Sequence, residues 1–249
     1  MITRLRRALR LAALAAGLAA CLIPHLITKL LRVPSPWPKR FLALAARACG
    51  AQASISGKAL HKDVFFIANH VSWLDILLLG GATGTAFISH DDVARWPIVG
   101  WLAKQNNTIF IARTDRHDVR NQIAQLHTAL KNHQPVALFP EGTTGNGMEL
   151  LPFKPALLAG LMPPPRDLLI QPVYIDYGPA TADIAWHGNE PAGVNMARIL
   201  ARDGALPVML HFLDPFDPED FPDRKAVAEE ARKRIAAQQA ASVPARPVV

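Results

Sequence analysis

The chain has 249 residues, half of them hydrophobic and 19% charged, which suits one large α/β domain with an appendage rather than two full domains. Its 27 basic and 20 acidic residues leave a net charge of +7, which fits a membrane surface or phosphate-bearing substrates. The lack of a dense basic stripe interleaved with aromatics argues against nucleic acid, and two cysteines in apolar segments, Cys21 and Cys49, exclude a disulfide framework.

The first 50 residues stand apart in composition and predict a membrane anchor of one or two apolar helices. Arg4, Arg6, Arg7 and Arg10 precede a run from 11 to 27 without formal charge, interrupted by Pro24 and His25. A basic segment before an apolar one fits a cleaved secretory signal, and Leu18-Ala19-Ala20-Cys21 resembles a lipoprotein processing site. The apolar residues Leu22-Ile23-Pro24 that follow do not look like a mature N-terminus. The favoured reading is a retained anchor, either a single span or an interfacial segment bent at Pro24 and continued by a second apolar stretch over 41–49. The expected location is the cytoplasmic face of the inner (cell) membrane.

A Pro-rich segment, Val33-Pro34-Ser35-Pro36-Trp37-Pro38, links anchor to body. The body is expected over 51–241, with an edge strand over 51–60 and a first core strand at Val64-Phe65-Phe66-Ile67-Ala68. Further strands are predicted over 85–89, 108–112, 136–139, 168–174 and 208–212. Helices are predicted over 97–104, 119–132, 155–161, 194–201 and 224–239, with a disordered tail over 242–249. Strands alternating with helices predict an α/β domain whose mostly parallel or mixed sheet is flanked by helices.

In such sheets, sites collect at the carboxyl ends of strands. Three of those ends carry notable residues: Asn69-His70, Arg113, and Phe139-Pro140-Glu141-Gly142-Thr143. His70 and Asp75 sit where the core strand gives way to an apolar helix, and polar groups there need partners or a task. An imidazole can take the proton of an attacking hydroxyl, and a carboxylate on its other nitrogen fixes the tautomer. The structural alternative is a capping box, with Ser72 at the N-cap and Asp75 closing the first turn.

These residues resemble the glycerolipid acyltransferase family. His70-x-x-x-x-Asp75, Phe110-Ile111-Ala112-Arg113, Phe139-Pro140-Glu141-Gly142-Thr143 and Pro172-Val173 are similar, in order, to that family's four motifs, especially those of bacterial 1-acyl-sn-glycerol-3-phosphate (lysophosphatidate) acyltransferases. The resemblance implies His70 as general base and Asp75 as its orienting partner. It implies a thioester donor, acyl-CoA or acyl carrier protein, used as co-substrate with no bound cofactor. Arg113, Glu141 and Gly142 would form the acceptor site, Thr143, Thr144 and Gly145 would offer donors to an anion, and Lys154 would help neutralise the acceptor. The product would be phosphatidic acid. One departure is the stretch Thr144-Gly145-Asn146-Gly147, where many members carry Arg or Ser after Glu-Gly-Thr. Losing a cation there weakens the case for a phosphomonoester and keeps lyso-ornithine lipid, an amino-acid lipid without phosphate, as the alternative acceptor, while Arg113 and Lys154 leave lysophosphatidate as the first reading.

Other readings of the same residues are blander. Arg113, Glu141 and Lys154 could be ordinary surface charges. His61, Asp63, His90 and Asp91 suggest a metal hydrolase, yet no His-x-His or His-x-x-x-His spacing is present, so no metal is expected. No Gly-x-Ser-x-Gly elbow marks a serine nucleophile. A membrane-anchored lipid-binding protein without chemistry is the alternative from another class.

Overall fold

The computed structural model describes residues 2–111, 133–161 and 167–242. In chain order the elements are α1 (Ile2–Leu30), α2 (Trp37–Ala48), β1 (Ala51–Ser56), β2 (Val64–Ala68) and α3 (Leu74–Thr83). Then come β3 (Ala86–His90), α4 (Asp91–Ala94), α5 (Pro97–Gln105), β4 (Ile109–Ile111) and β5 (Val136–Leu138). A 3₁₀ turn over Pro155–Leu161 leads to β6 (Leu169–Asp176), α6 (Thr181–Ile184), α7 (Ala192–Ala201), β7 (Leu206–Phe212) and α8 (Arg224–Ser242). The predicted helix over 119–132 and the tail after Ser242 lie outside the described residues.

The strands form one seven-stranded sheet in the order β1-β7-β6-β2-β5-β3-β4 among the described residues. Pairing is parallel throughout except between β6 and β7, so the expected mixed, mostly parallel sheet is the observed one. β2 lies at its centre with all five residues buried. Because side chains alternate across a strand, Val64, Phe66 and Ala68 enter the core under α2 and α3, while Phe65 and Ile67 enter the core under α8. Burial on both faces is why this strand reads as an unbroken apolar run rather than an alternating one.

Packing against the first face depends on small residues. A Cβ at Gly81 would lie 2.7 Å from the Cα of Ala43, so α3 meets α2 backbone to backbone. α1 in turn packs on α2 and α7. Its arginines are docked on the body: Arg6 donates to the Ala201 carbonyl at 3.0 Å, and Arg10 to the Ile199 carbonyl at 3.0 Å. These are carbonyls at the C-terminal end of α7, where cations are favoured.

Two sequence expectations change at the front end. α1 runs without a break through Pro24 to Leu30, since a proline removes one helical hydrogen bond while the neighbouring turns carry on. The chain turns instead in the Pro-rich segment, and α2 begins at Trp37 with Pro38 in its first turn. α1 is long and apolar enough to cross a membrane, with a mean hydropathy of 2.0 over its most apolar window.

Candidate active site

The site is assembled where parallel strands end together. β2 delivers Asn69 and His70, β5 delivers Phe139 to Glu141, and β6 delivers Tyr177. Asn69 continues the ladder beyond β2 with its side chain. Its Nδ2 donates to the Ile175 carbonyl at 3.1 Å, and its Oδ1 accepts the Ile175 N–H at 2.7 Å. This closes two buried backbone groups and frees the main chain of His70 to turn away from the sheet.

Asp75 is wholly buried and holds the turn together. Its Oδ2 accepts from His70 Nδ1 at 2.8 Å, from Val71 N at 2.7 Å and from Ser72 N at 2.9 Å. Its Oδ1 accepts from the Tyr177 hydroxyl at 2.5 Å. One carboxylate therefore holds the backbone of the turn, as the capping reading expects, and also fixes the imidazole. Ser72 differs from its expected place: helix α3 is capped at Trp73 without a side-chain bond, and Ser72 Oγ accepts from Leu74 N at 3.4 Å.

With Nδ1 donating to Asp75, the neutral ring presents Nε2 as an acceptor, and Nε2 has no partner among the described residues. The imidazole side chain keeps 16% of its surface exposed. Its face stacks on Phe139, with centroids 4.1 Å apart and planes 12° off parallel. A ring fixed at one nitrogen and one face, with its other nitrogen open, can accept a proton from a group delivered by solvent or membrane.

Glu141 is buried beneath this turn, and both its oxygens are engaged by the backbone. Oε1 accepts from His70 N at 2.7 Å and Oε2 from Leu151 N at 3.1 Å. Burial raises its pKa above the ordinary carboxyl value, partly offset by those two N–H groups. Gly145 N–H donates to the His70 carbonyl at 2.8 Å, so it is spent on the turn rather than offered to an anion. Thr143 and Lys154 are exposed and Thr144 is half-buried. The Lys154 ammonium lies over Gly142, where an added Cβ would come within 2.9 Å of it. Arg113 lies outside the described residues.

Sequence reasoning missed Tyr177 and the role of Asn69. The Tyr177 hydroxyl is buried with its pKa well above the ordinary value, first through desolvation and then through the Asp75 charge, so it stays a donor. Its position just past a strand that ends at the site was the available signal. The predicted strand stopped at residue 174, whereas β6 runs on to Asp176.

The Acyltransferase family model matches residues 53–176, which span β1 to the end of β6. A lyso-ornithine lipid O-acyltransferase of Rhodobacter capsulatus is 36% identical over 90% of this chain and 86% of its own. A 1-acyl-sn-glycerol-3-phosphate acyltransferase of Neisseria gonorrhoeae is 31% identical over 68% of this chain and 61% of its own. The crystal structure of the 1-acyl-sn-glycerophosphate acyltransferase PlsC from Thermotoga maritima superposes with a TM-score of 0.69 at 19% identity, covering 98% of both chains, and so shares the fold. The histidine–aspartate turn, the sheet that carries it and these relatives lead to one conclusion: the chain belongs to the acyltransferase family.

Proposed function

We propose that the chain transfers an acyl group from a thioester, acyl-CoA or acyl carrier protein, to the free hydroxyl of lyso-ornithine lipid at a membrane surface. His70 Nε2 takes the hydroxyl proton as the oxygen attacks the thioester carbonyl. Asp75 holds the ring and stabilises the imidazolium, and Tyr177 holds Asp75. Collapse of the tetrahedral intermediate breaks the carbon–sulfur bond, and the imidazolium returns its proton to the departing thiolate. Thr143 and Thr144 supply donors near the reacting groups, Lys154 and Arg113 supply positive charge toward the acceptor, and Glu141 and Gly142 shape the loop. No cofactor or metal enters these steps.

One observation carries the choice of acceptor. The similarity to relatives named lyso-ornithine lipid O-acyltransferase runs almost end to end, with that of Pseudomonas aeruginosa 32% identical over 94% of this chain and 92% of its own. The uncharged stretch from Thr144 to Gly147 supports the same acceptor. Lysophosphatidate is the second reading, and the Neisseria relative favours it.

Free-thiol release from a long-chain acyl-CoA, measured with each acceptor in turn, separates the two. Turnover with lyso-ornithine lipid and little with lysophosphatidate is the expected result. Preference for lysophosphatidate would reverse the assignment. No release with either acceptor, repeated with acyl carrier protein as donor, would overturn the reaction.

A further inference from the structure

The apolar outer face of α5 takes no part in the reaction above. Ile98 is 68% exposed, Val99 42% and Trp101 40%, and Trp96, just before the helix, is 42% exposed. Gly100 is the buried residue of α5, and a Cβ there would lie 2.3 Å from the Ala94 carbonyl. α5 is thus clamped against the end of α4 and cannot roll its apolar side inward.

The other end of α5 is pinned to the last turns of α1. Gln105 Oε1 accepts from Lys29 Nζ at 3.0 Å and lies 3.3 Å from His25 Nε2, while His25 Nδ1 pairs with Ser35 Oγ at 2.7 Å. Leu26, Ile27 and Leu30 on those turns are themselves at least half exposed. A polar cluster at Gln105 thus ties the end of α5 to the last turns of α1, which carry these exposed aliphatic side chains. Lys29, Arg32 and Lys104 are exposed around that junction. Tryptophans beside aliphatic residues with a basic rim are what the interfacial layer of an anionic bilayer favours. The topology adds direction. β3 runs parallel to β5, and β5 to β2, so the α4–α5 excursion leaves the sheet at the same end as His70.

We propose that α5 is a second membrane contact, in which Trp96, Ile98, Val99 and Trp101 enter the interfacial layer of an anionic bilayer beside the last turns of α1. The catalytic end of the sheet is then set against the surface from which a lysolipid is drawn. The geometry stands by itself, while the purpose rests on the reaction proposed above. The occupant is a bilayer rather than a second copy because α5 is tied through Gln105 to α1, itself apolar and long enough to cross a membrane.

The test uses the full chain and vesicles of phosphatidylcholine mixed with phosphatidylglycerol. The I98D/V99D variant should partition onto them at least about tenfold more weakly than wild type. Its thiol release should fall on vesicle-borne acceptor and stay at the wild-type level on acceptor in detergent micelles. Should that variant fail to fold, I98S carries the same readouts. Quenching of tryptophan fluorescence by brominated lipid should drop in W96F/W101F. Unchanged partitioning and unchanged quenching would overturn the proposal. So would a dimer, seen by light scattering, that the aspartates dissociate while vesicle binding persists. A wild type that is silent in micelles would overturn the reaction instead, since partitioning and quenching need no turnover.

Discussion

A buried aspartate with four donors around it is more than a helix cap needs. The two main-chain N–H groups belong to the turn, and the imidazole is the group to which we assign the proposed chemistry. Tyr177 joins them by fixing the remaining oxygen, so it acts on His70 through Asp75 and is a positioning residue. Tyr177→Phe leaves that oxygen without a donor in a dry site. The expected cost is about 1–3 kcal/mol of stability, read as a lower Tm. We also expect kcat to fall about tenfold with KM for the acceptor unchanged, because nothing that touches substrate is removed. A rise in KM at constant kcat would instead place Tyr177 in the acceptor site. His70 and Asp75 were legible because a histidine and an acid five residues apart straddle a strand–helix junction. Tyr177 was not, since its partner lies 102 residues away and a lone tyrosine after a strand has no local pattern.

At the scale of elements, the loop after β5 is built inward, toward the turn that carries His70. Glu141 and Gly145 spend their polar groups on the main chain of His70, so the loop sets where the histidine stands. Its motif was legible as residue types. What each group points at was not, because a loop acid reads as solvent-facing until the fold covers it. The buried carboxyl gives a pH signature. Its pKa is raised in the folded protein, so its contribution to stability is full below the ordinary carboxyl range and is lost as pH rises through the raised value. Glu141→Gln has no such step and leaves one backbone N–H without its acceptor, at a cost of about 1–3 kcal/mol. The Tm difference between wild type and E141Q should therefore narrow from acid toward neutral pH. A difference that widens would contradict the buried placement of this carboxyl.

For the whole molecule, the apolar runs specified the class of fold because each core strand is buried on both faces, as β2 and β5 are. Strand order was beyond them. That β7 inserts between β6 and β1, antiparallel to the first and parallel to the second, follows from long-range pairing, which no local periodicity encodes. The N-terminal segment was legible as apolar helix, but not as one held to the body by Arg6 and Arg10. Hydrogen bonds tie α1 to α7 and α5 to α1, and so link the apolar helices to the body that carries His70. That link has meaning only if His70 moves an acyl chain onto a lipid hydroxyl. The direct measurement is thiol release from acyl-CoA by wild type and by His70→Ala, with and without lyso-ornithine lipid. Wild type should release thiol only when acceptor is present, and H70A should lose at least about a hundredfold in rate with its Tm little changed. Near wild-type release by H70A, or equal release by wild type without acceptor, would contradict base-assisted transfer.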